Sequence, residues 1–286
     1  MTNIVEAKSL HKSFGSFVAL DDVSLTIPTG AISGLIGPNG AGKTTTLKSL
    51  IGLCEVEGDI SVVGRDPRIA RHKLMEDVCF IADVGILPKW LKVSQVLNYV
   101  EGVHPRFSRK KAVELLSTTE IPSNKRIKNL SKGMVTQLHL AIVMAIDVSL
   151  LVLDEPTLGL DIMYRKEFYD RLLNDYYDGN RTIIISTHQV EEIETLLSHL
   201  IFINKGKIEL NAMMSDLAEQ YFEVHVVPEK TAEAEALNPI HVRALLGKKS
   251  FIYESANRVE LEGLGEIVTP SVADLFVAKM KGARHV

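Results

Sequence analysis

The sequence is poor in several things that would have pointed elsewhere. It has two cysteines in 286 residues, Cys54 and Cys79. Both have apolar neighbours, in Leu53-Cys54 and Val78-Cys79-Phe80. That context suits small core residues in a reducing compartment better than a disulfide or a metal site. No apolar run reaches the ~20 residues that a bilayer-spanning helix needs. The most apolar stretch, 141–153, is broken by Asp147 and Ser149. The opening Met1-Thr2-Asn3-Ile4-Val5-Glu6 lacks the charged-then-apolar layout of a secretory signal. The chain is therefore expected to be soluble by itself and to act at a membrane only by docking. A basic excess is also missing: the formal net charge is −4, which argues against nucleic acid as a partner. The short run Arg109-Lys110-Lys111 fits a solvated helix face. No internal repeat or low-complexity segment occurs. With 46% hydrophobic and 24% charged residues, the chain has ordinary globular composition, enough for one large domain or two modest ones.

The most informative feature present is Gly37-Pro38-Asn39-Gly40-Ala41-Gly42-Lys43-Thr44. It matches G-x-x-x-x-G-K-[ST], the loop that wraps nucleotide phosphates. Glycines let backbone N–H groups curl inward and approach a phosphate closely. Lys43 supplies a mobile positive charge, and Thr44 offers a hydroxyl to Mg²⁺. A helix starting near Lys43 aims its positive end at the anion, with Thr45 in its first turn. Context agrees: 31–36 reads as a buried strand and 44–53 as a helix, the order strand, loop, helix that this motif requires.

Around that unit, 4–7 and 23–27 read as strands, as do 59–63 and 78–82. Between 84 and 145 the pattern turns helical, over 93–103, 108–118 and 131–146, with Ser108 as a plausible N-cap. Segment 150–153 is a continuous apolar strand of the kind buried on both faces. Helix is expected over 163–176 and 189–197, and strand over 182–186 and 200–203. Strands alternating with helices imply an α/β fold with a parallel sheet covered on both sides. Beyond about 211 the pattern weakens. Segments 221–227, 251–254 and 258–261 look like strands and 271–280 like a closing helix, so 211–286 reads as a small α+β appendage.

Strand 150–153 runs into Asp154 and Glu155. A buried strand delivers both acids to one edge of the sheet, where Asp154 suits the Mg²⁺ shell and Glu155 suits a general base for an attacking water. Many strands end in acids, so the pair gains meaning only downstream of the phosphate loop. With both elements placed, residues 1 to about 210 resemble the ATP-binding subunit of an ABC transporter. Leu130-Ser131-Lys132-Gly133-Met134 sits where that family carries its signature, usually Leu-Ser-Gly-Gly-Gln; Ser131 and Gly133 resemble its phosphate-contacting pair. Thr157-Leu158-Gly159-Leu160-Asp161 resembles the family's D-loop, which puts Asp161 among the nucleotide-site residues. Ser186-Thr187-His188 resembles the switch histidine at a strand end, and Phe14 lies where the family stacks an aromatic on adenine. Each has a plainer reading as well: His188 and Phe14 as core residues, Ser131 as a helix cap.

The resemblance implies a P-loop NTPase core in residues 1–210, with an antiparallel β subdomain and a helical subdomain at about 84–147, followed by an accessory unit at 211–286. It implies ATP and Mg²⁺ as ligands, and ATP hydrolysis by a homodimer or heterodimer of such subunits. It also implies a separate transmembrane permease, at the cytoplasmic face of the cell membrane. Two departures stand out. Lys132 and Met134 replace a glycine and a glutamine of the usual signature. Asp83 occupies the place of the Q-loop glutamine, where a carboxylate still ligates Mg²⁺ but donates no hydrogen bond while ionised. Together with the ending Thr269-Pro270-Ser271-Val272-Ala273-Asp274-Leu275-Phe276, these resemble the ABC-2-type exporter branch. A soluble ABC ATPase working on a ribosome or DNA is the alternative, disfavoured by a single phosphate loop and the missing basic patch. The loop 86–91, with Trp90, is either a docking surface for the partner or part of the helical packing.

Overall fold

The computed structural model describes residues 2–82 and 87–282. An antiparallel sheet comes first in the chain, with strands β1 (Asn3–Phe14), β2 (Phe17–Pro28) and β4 (Glu57–Val62) in the order β2-β1-β4. It buries alternate residues, Val5 and Ala7 on β1 against Ile27 and Leu25 on β2. Beyond Ala7 the register shifts, and Ser9 (φ 49°) and Asp22 (φ 57°) adopt the left-handed backbone of a bulge there.

The central sheet has six strands in the order β5-β6-β7-β3-β8-β9. They are β3 (Ile32–Ile36), β5 (Val78–Ala82), β6 (Leu150–Asp154), β7 (Thr182–Thr187), β8 (His199–Asn204) and β9 (Lys207–Met213). β5, β6, β7, β3 and β8 run parallel; β9 returns antiparallel on β8. β3, β6 and β7 are buried along their whole length, as strands covered on both faces must be. Successive residues feed opposite cores: Leu151, Leu153, Ile183 and Ile185 pack toward the helical side, Leu150, Val152 and Ile184 toward the N-terminal sheet.

Helix α1 (Lys43–Leu50) follows β3, and α2 (Arg71–Asp77) precedes β5. The helical layer consists of α3 (Val93–Val103), α4 (Arg109–Ser117) and α5 (Lys132–Met144). Ser108 caps α4, accepting from the Lys111 amide at 3.3 Å. Helix α6 (Ile162–Arg171) runs on into a π turn, Leu172–Tyr176. After β9 come α7 (Met214–Gln220), β10 (Tyr221–Val226), α8 (Thr231–Ala236), β11 (His241–Leu245), β12 (Lys248–Glu254), α9 (Arg258–Glu262), β13 (Gly265–Val268) and α10 (Val272–Gly282). The four strands make a third, antiparallel sheet in the order β11-β12-β10-β13 with its own core. β9 extends past position 210 and pairs with β8 as far as His199↔Met213.

Three expectations need correction. Segment 258–261 is helix, not strand: Asn257 accepts from the Val259 amide at 3.1 Å, and only Leu261 is buried while Val259 is 74% exposed. The alternation that suggested a strand is one turn with one inward residue. Segment 189–197 is two 3-10 turns, Val190–Glu192 and Glu194–Leu196, rather than one helix. Intrinsic propensity favours a helix here, since Glu and Leu are good helix formers; tertiary bonds from Arg165 to Glu192 and from the Val272 amide to Glu194 hold the segment otherwise. Cys79 is buried, and burial pushes its thiol up to about 12. Cys54 is half-exposed, not core.

Candidate nucleotide site

The phosphate loop joins β3 to α1. Two of its glycines are dictated by space and backbone. A Cβ at Gly37 would lie 2.3 Å from the Ile203 carbonyl oxygen. Gly42 has φ +111° and would meet the Ala19 carbonyl oxygen at 2.8 Å. Lys43 is 5% exposed, and its Nζ donates to the carbonyl oxygens of Gly37 at 2.7 Å and Pro38 at 3.3 Å. These bonds hold the ammonium inside the loop.

β6 and β7 bring the acids and the histidine to the same end of the sheet. Asp154, 6% exposed, accepts from Thr44 Oγ1 at 2.8 Å and from Ser186 Oγ at 2.5 Å. Glu155 follows with φ +47°, a left-handed backbone uncommon for a side chain of this kind. Its amide donates to Ser186 Oγ at 3.0 Å and to the Ser186 carbonyl oxygen at 3.1 Å. The Glu155 carboxylate lies 3.2 Å from Lys43 Nζ and 3.0 Å from His188 Nδ1. Lysine, glutamate and histidine thus form one connected group, with Glu155 between two cations or donors.

A cleft of about 220 Å³ opens over this group, lined by Phe17, Ala19, Asn39, Gly40, Ala41, Gly42, Lys43, Thr44, Thr45 and Glu155. A roomier groove of about 370 Å³ lies elsewhere, between Leu87, Lys89, Ile127, Lys132 and Leu160. The smaller cleft is the candidate site on chemistry, because its lining joins the phosphate loop to Glu155. The donor set beside it, a hydroxyl and a carboxylate 2.8 Å apart, consists of oxygens and fits a hard divalent ion such as Mg²⁺. Among the described residues no group of three or more His, Cys, Asp or Glu could hold a metal.

Other expected residues stand off this cleft. Ser131 is exposed and caps α5, accepting from the Met134 amide at 3.2 Å. Asp161 is exposed and caps α6, accepting from the Tyr164 amide at 3.2 Å. Gly133 is buried under Tyr164: a Cβ there would lie 2.2 Å from the ring. None of these three lines the phosphate-loop cleft. Phe14 is 55% exposed with Lys12 Nζ 5.3 Å from its ring centroid; Phe17, its partner across the hairpin, lines the cleft. Phe17, which borders the cleft, and Ser186, which donates to Asp154, lie outside the expected set. The signal for Phe17 was the tight turn at Gly15-Ser16, which places the two rings opposite each other. Asp83 and Ile86 lie outside the described residues.

Comparison with known proteins agrees with this geometry. The family pattern described as ABC transporter matches residues 20–158. An ABC transporter ATP-binding protein of Bacillus subtilis, YtrB, is 27% identical over 99% of this chain and 100% of its own length. The Nod factor export ATP-binding protein I of Cupriavidus metallidurans is 30% identical over 88% of this chain and 87% of its own. A solved ATP-binding subunit of an ABC transporter superposes with a TM-score of 0.67 at 24% identity, covering 75% of this chain and 91% of that one. A nucleotide-free ATP-binding cassette does so with a TM-score of 0.62 at 20% identity, covering 74% and 92%. With phosphate loop, acid pair and histidine converging on one sheet edge, and with these relatives, the chain belongs to the ATP-binding subunits of ABC transporters, the ATPases that power transport.

Proposed function

We propose that this subunit hydrolyses ATP at a site completed by a second ATP-binding subunit and drives an exporter through a separate membrane protein. The observation that carries the reading is the division of the site. Lys43, Thr44 and Glu155 line one cleft, with Asp154 bonded to Thr44 and His188 to Glu155, while Ser131, Gly133 and Asp161 sit at helix N-termini away from it. Each chain then holds two complementary halves, and head-to-tail pairing joins them. ATP enters with its phosphates on the loop amides. The phosphate charge draws Lys43 away from Glu155, which frees the carboxylate for a water. Glu155 takes the proton of that water as it attacks the γ-phosphorus; the bond from that phosphorus to the β–γ bridging oxygen breaks, ADP leaves, and His188 donates toward the γ-phosphate oxygens. Thr44 and Asp154 are the residues that would hold Mg²⁺, which neutralises phosphate charge when bound. Asp83 is proposed as a further ligand from its place in the sequence. Phe14 or Phe17 covers the adenine.

ATP-binding subunits of this family work with separate permeases, and no described helix is long and apolar enough to cross a membrane. That supports peripheral attachment at the cytoplasmic face. Trp90 is 70% exposed beside half-buried Leu87 and Leu91, which supports the 87–91 loop as the contact with the permease. The names of the relatives from Cupriavidus, which concern Nod factor export, support an exporter, as does the ending around Phe276. We further propose that 1–210 works as the ATPase and 211–286 as the accessory unit. The test is Glu155→Gln, with nucleotide binding and phosphate release measured on the same protein. Retained binding with abolished turnover is expected. Turnover at the parental rate would remove Glu155 as the base.

A further inference from the structure

The segment that follows His188 has little structure of its own. It makes two 3-10 turns, Val190–Glu192 and Glu194–Leu196, in place of a helical ladder. Its position is set by neighbours on two sides. On one side stands Arg165 of α6. Its Nε donates to the Leu160 carbonyl oxygen at 2.7 Å, and its guanidinium also reaches Gln189 Oε1 at 2.5 Å and pairs with Glu192. On the other side stands α10, whose first amide, from Val272, donates to Glu194 Oε1 at 2.9 Å. These partners are 78 residues apart in the chain. The carboxylate also lies at the positive end of an eleven-residue helix, where a negative charge is favoured.

Helix α10 is itself pinned to both units. Phe276 packs edge-on against Phe202 of β8, with centroids 5.2 Å apart. Asp274 pairs with Arg243 of β11 at 3.0 Å, and Lys279 pairs with Glu254 of β12 at 2.8 Å. Val272 and Leu275 share a core with Val190, Ile193 and Leu197. A continuous mechanical link therefore runs from the third sheet through α10 and Glu194 to a loosely structured segment six residues from His188.

We propose that Glu194 is a positioning residue: through it, α10 of the accessory unit sets the placement of His188 and so the rate of ATP turnover. This goes beyond the proposed function but rests on its reading of His188 as a γ-phosphate contact. Glu194 is not among the residues that line the phosphate-loop cleft, so its loss acts on the chemical step more than on binding.

The full-length chain, with its permease where turnover requires it, tests this. Glu194→Ala is expected to lower kcat about tenfold, the scale of one charge-assisted hydrogen bond, with KM for ATP changed less than about twofold. Glu194→Gln keeps an acceptor oxygen and is expected to recover most of that loss. Val272→Pro removes the donor at a first-turn position that tolerates proline, and is expected to match Glu194→Ala. The double variant is expected to be no worse than either single one, since both break the same bond. Without nucleotide, hydrogen exchange in Glu194→Ala is expected to quicken at 190–197 and to stay unchanged in β6. Parental kcat in Glu194→Ala, losses that multiply in the double variant, or a rise in KM equal to the fall in kcat would overturn the proposal. His188→Ala separates the two readings. If it turns over at the parental rate, the role of His188 fails. If it is impaired while Glu194→Ala and Val272→Pro are not, only the present inference fails.

Discussion

Two glutamates, Glu155 of the ATPase core and Glu223 of the third sheet, are held in opposite ways. Glu155 sits past the end of β6 with φ +47°, and its carboxylate is shared by Lys43 and His188, which come from α1 and the end of β7. Glu223 lies within β10, 3% exposed, and accepts from Ser250 Oγ at 2.6 Å and from Arg243 at 2.8 Å, with His225 Nε2 at 3.2 Å. Its partners come from β10, β12 and β11 of one sheet, and Arg243 is itself steadied by Asp274. The first acid keeps partners that a phosphate can draw away, on a backbone whose strain costs of order 1–3 kcal/mol. The second keeps partners that have nowhere else to go. The two carboxylates thus differ in placement: one borders an open cleft, the other is enclosed within one sheet.

The largest effect that would break this contrast is on turnover. Glu155→Gln should slow ATP hydrolysis by about 10²–10⁴, the usual contribution of a positioned general base, with ATP affinity retained. Glu223→Gln should leave turnover within about threefold, since Glu223 touches no residue of the cleft; a large loss there would erase the distinction. Lys43→Ala should weaken ATP binding by about tenfold or more in a direct titration, by removing a charge-assisted contact. Gly133→Ala should cost no more than about 1 kcal/mol of stability in denaturant unfolding, because its methyl meets only the tip of the half-buried Tyr164 ring, which can swing aside. Adding Tyr164→Ala should restore the stability. If the double variant then hydrolyses ATP normally, Gly133 has only a packing role.

The smallest effect is on pH dependence. Burial pushes the Glu223 carboxyl up, but hydrogen bonds from Ser250, Arg243 and His225 outweigh it and hold the group below its ordinary value of 4.5. A carboxyl depressed in the folded state contributes stability above its unfolded pKa and loses it as pH falls through the folded value. The stability gap between the parent and Glu223→Gln should therefore be constant above about pH 5.5 and shrink below pH 4.5.

The ATPase core was legible because its chemistry is local. The phosphate loop, the Asp154-Glu155 strand end and His188 each announce themselves within eight residues, and the continuous apolar runs of β3, β6 and β7 place them in one sheet. The N-caps Ser108 and Ser131 were readable for the same reason. What failed depends on pairing or on weak periodicity. Phe17 reaches the cleft through a hairpin register, which no short motif encodes. β9, β11 and β13 bury no residue fully, and β11 turns apolar Val242 and Ala244 outward, so hydrophobicity does not mark their inward faces. α9 carries one inward residue and mimics a strand. The contact of Glu194 with Val272 spans two units and has no signature in the sequence at all.

The claim on which the account turns is that ATP joins two copies of this half-site. Its most direct test is the mass in solution of Glu155→Gln, at micromolar concentration, with and without MgATP, alone and with the permease. The account predicts an ATP-dependent doubling of the subunit, reversed when Ser131 is replaced by a bulky residue. A variant saturated with ATP that stays single in both settings would contradict it.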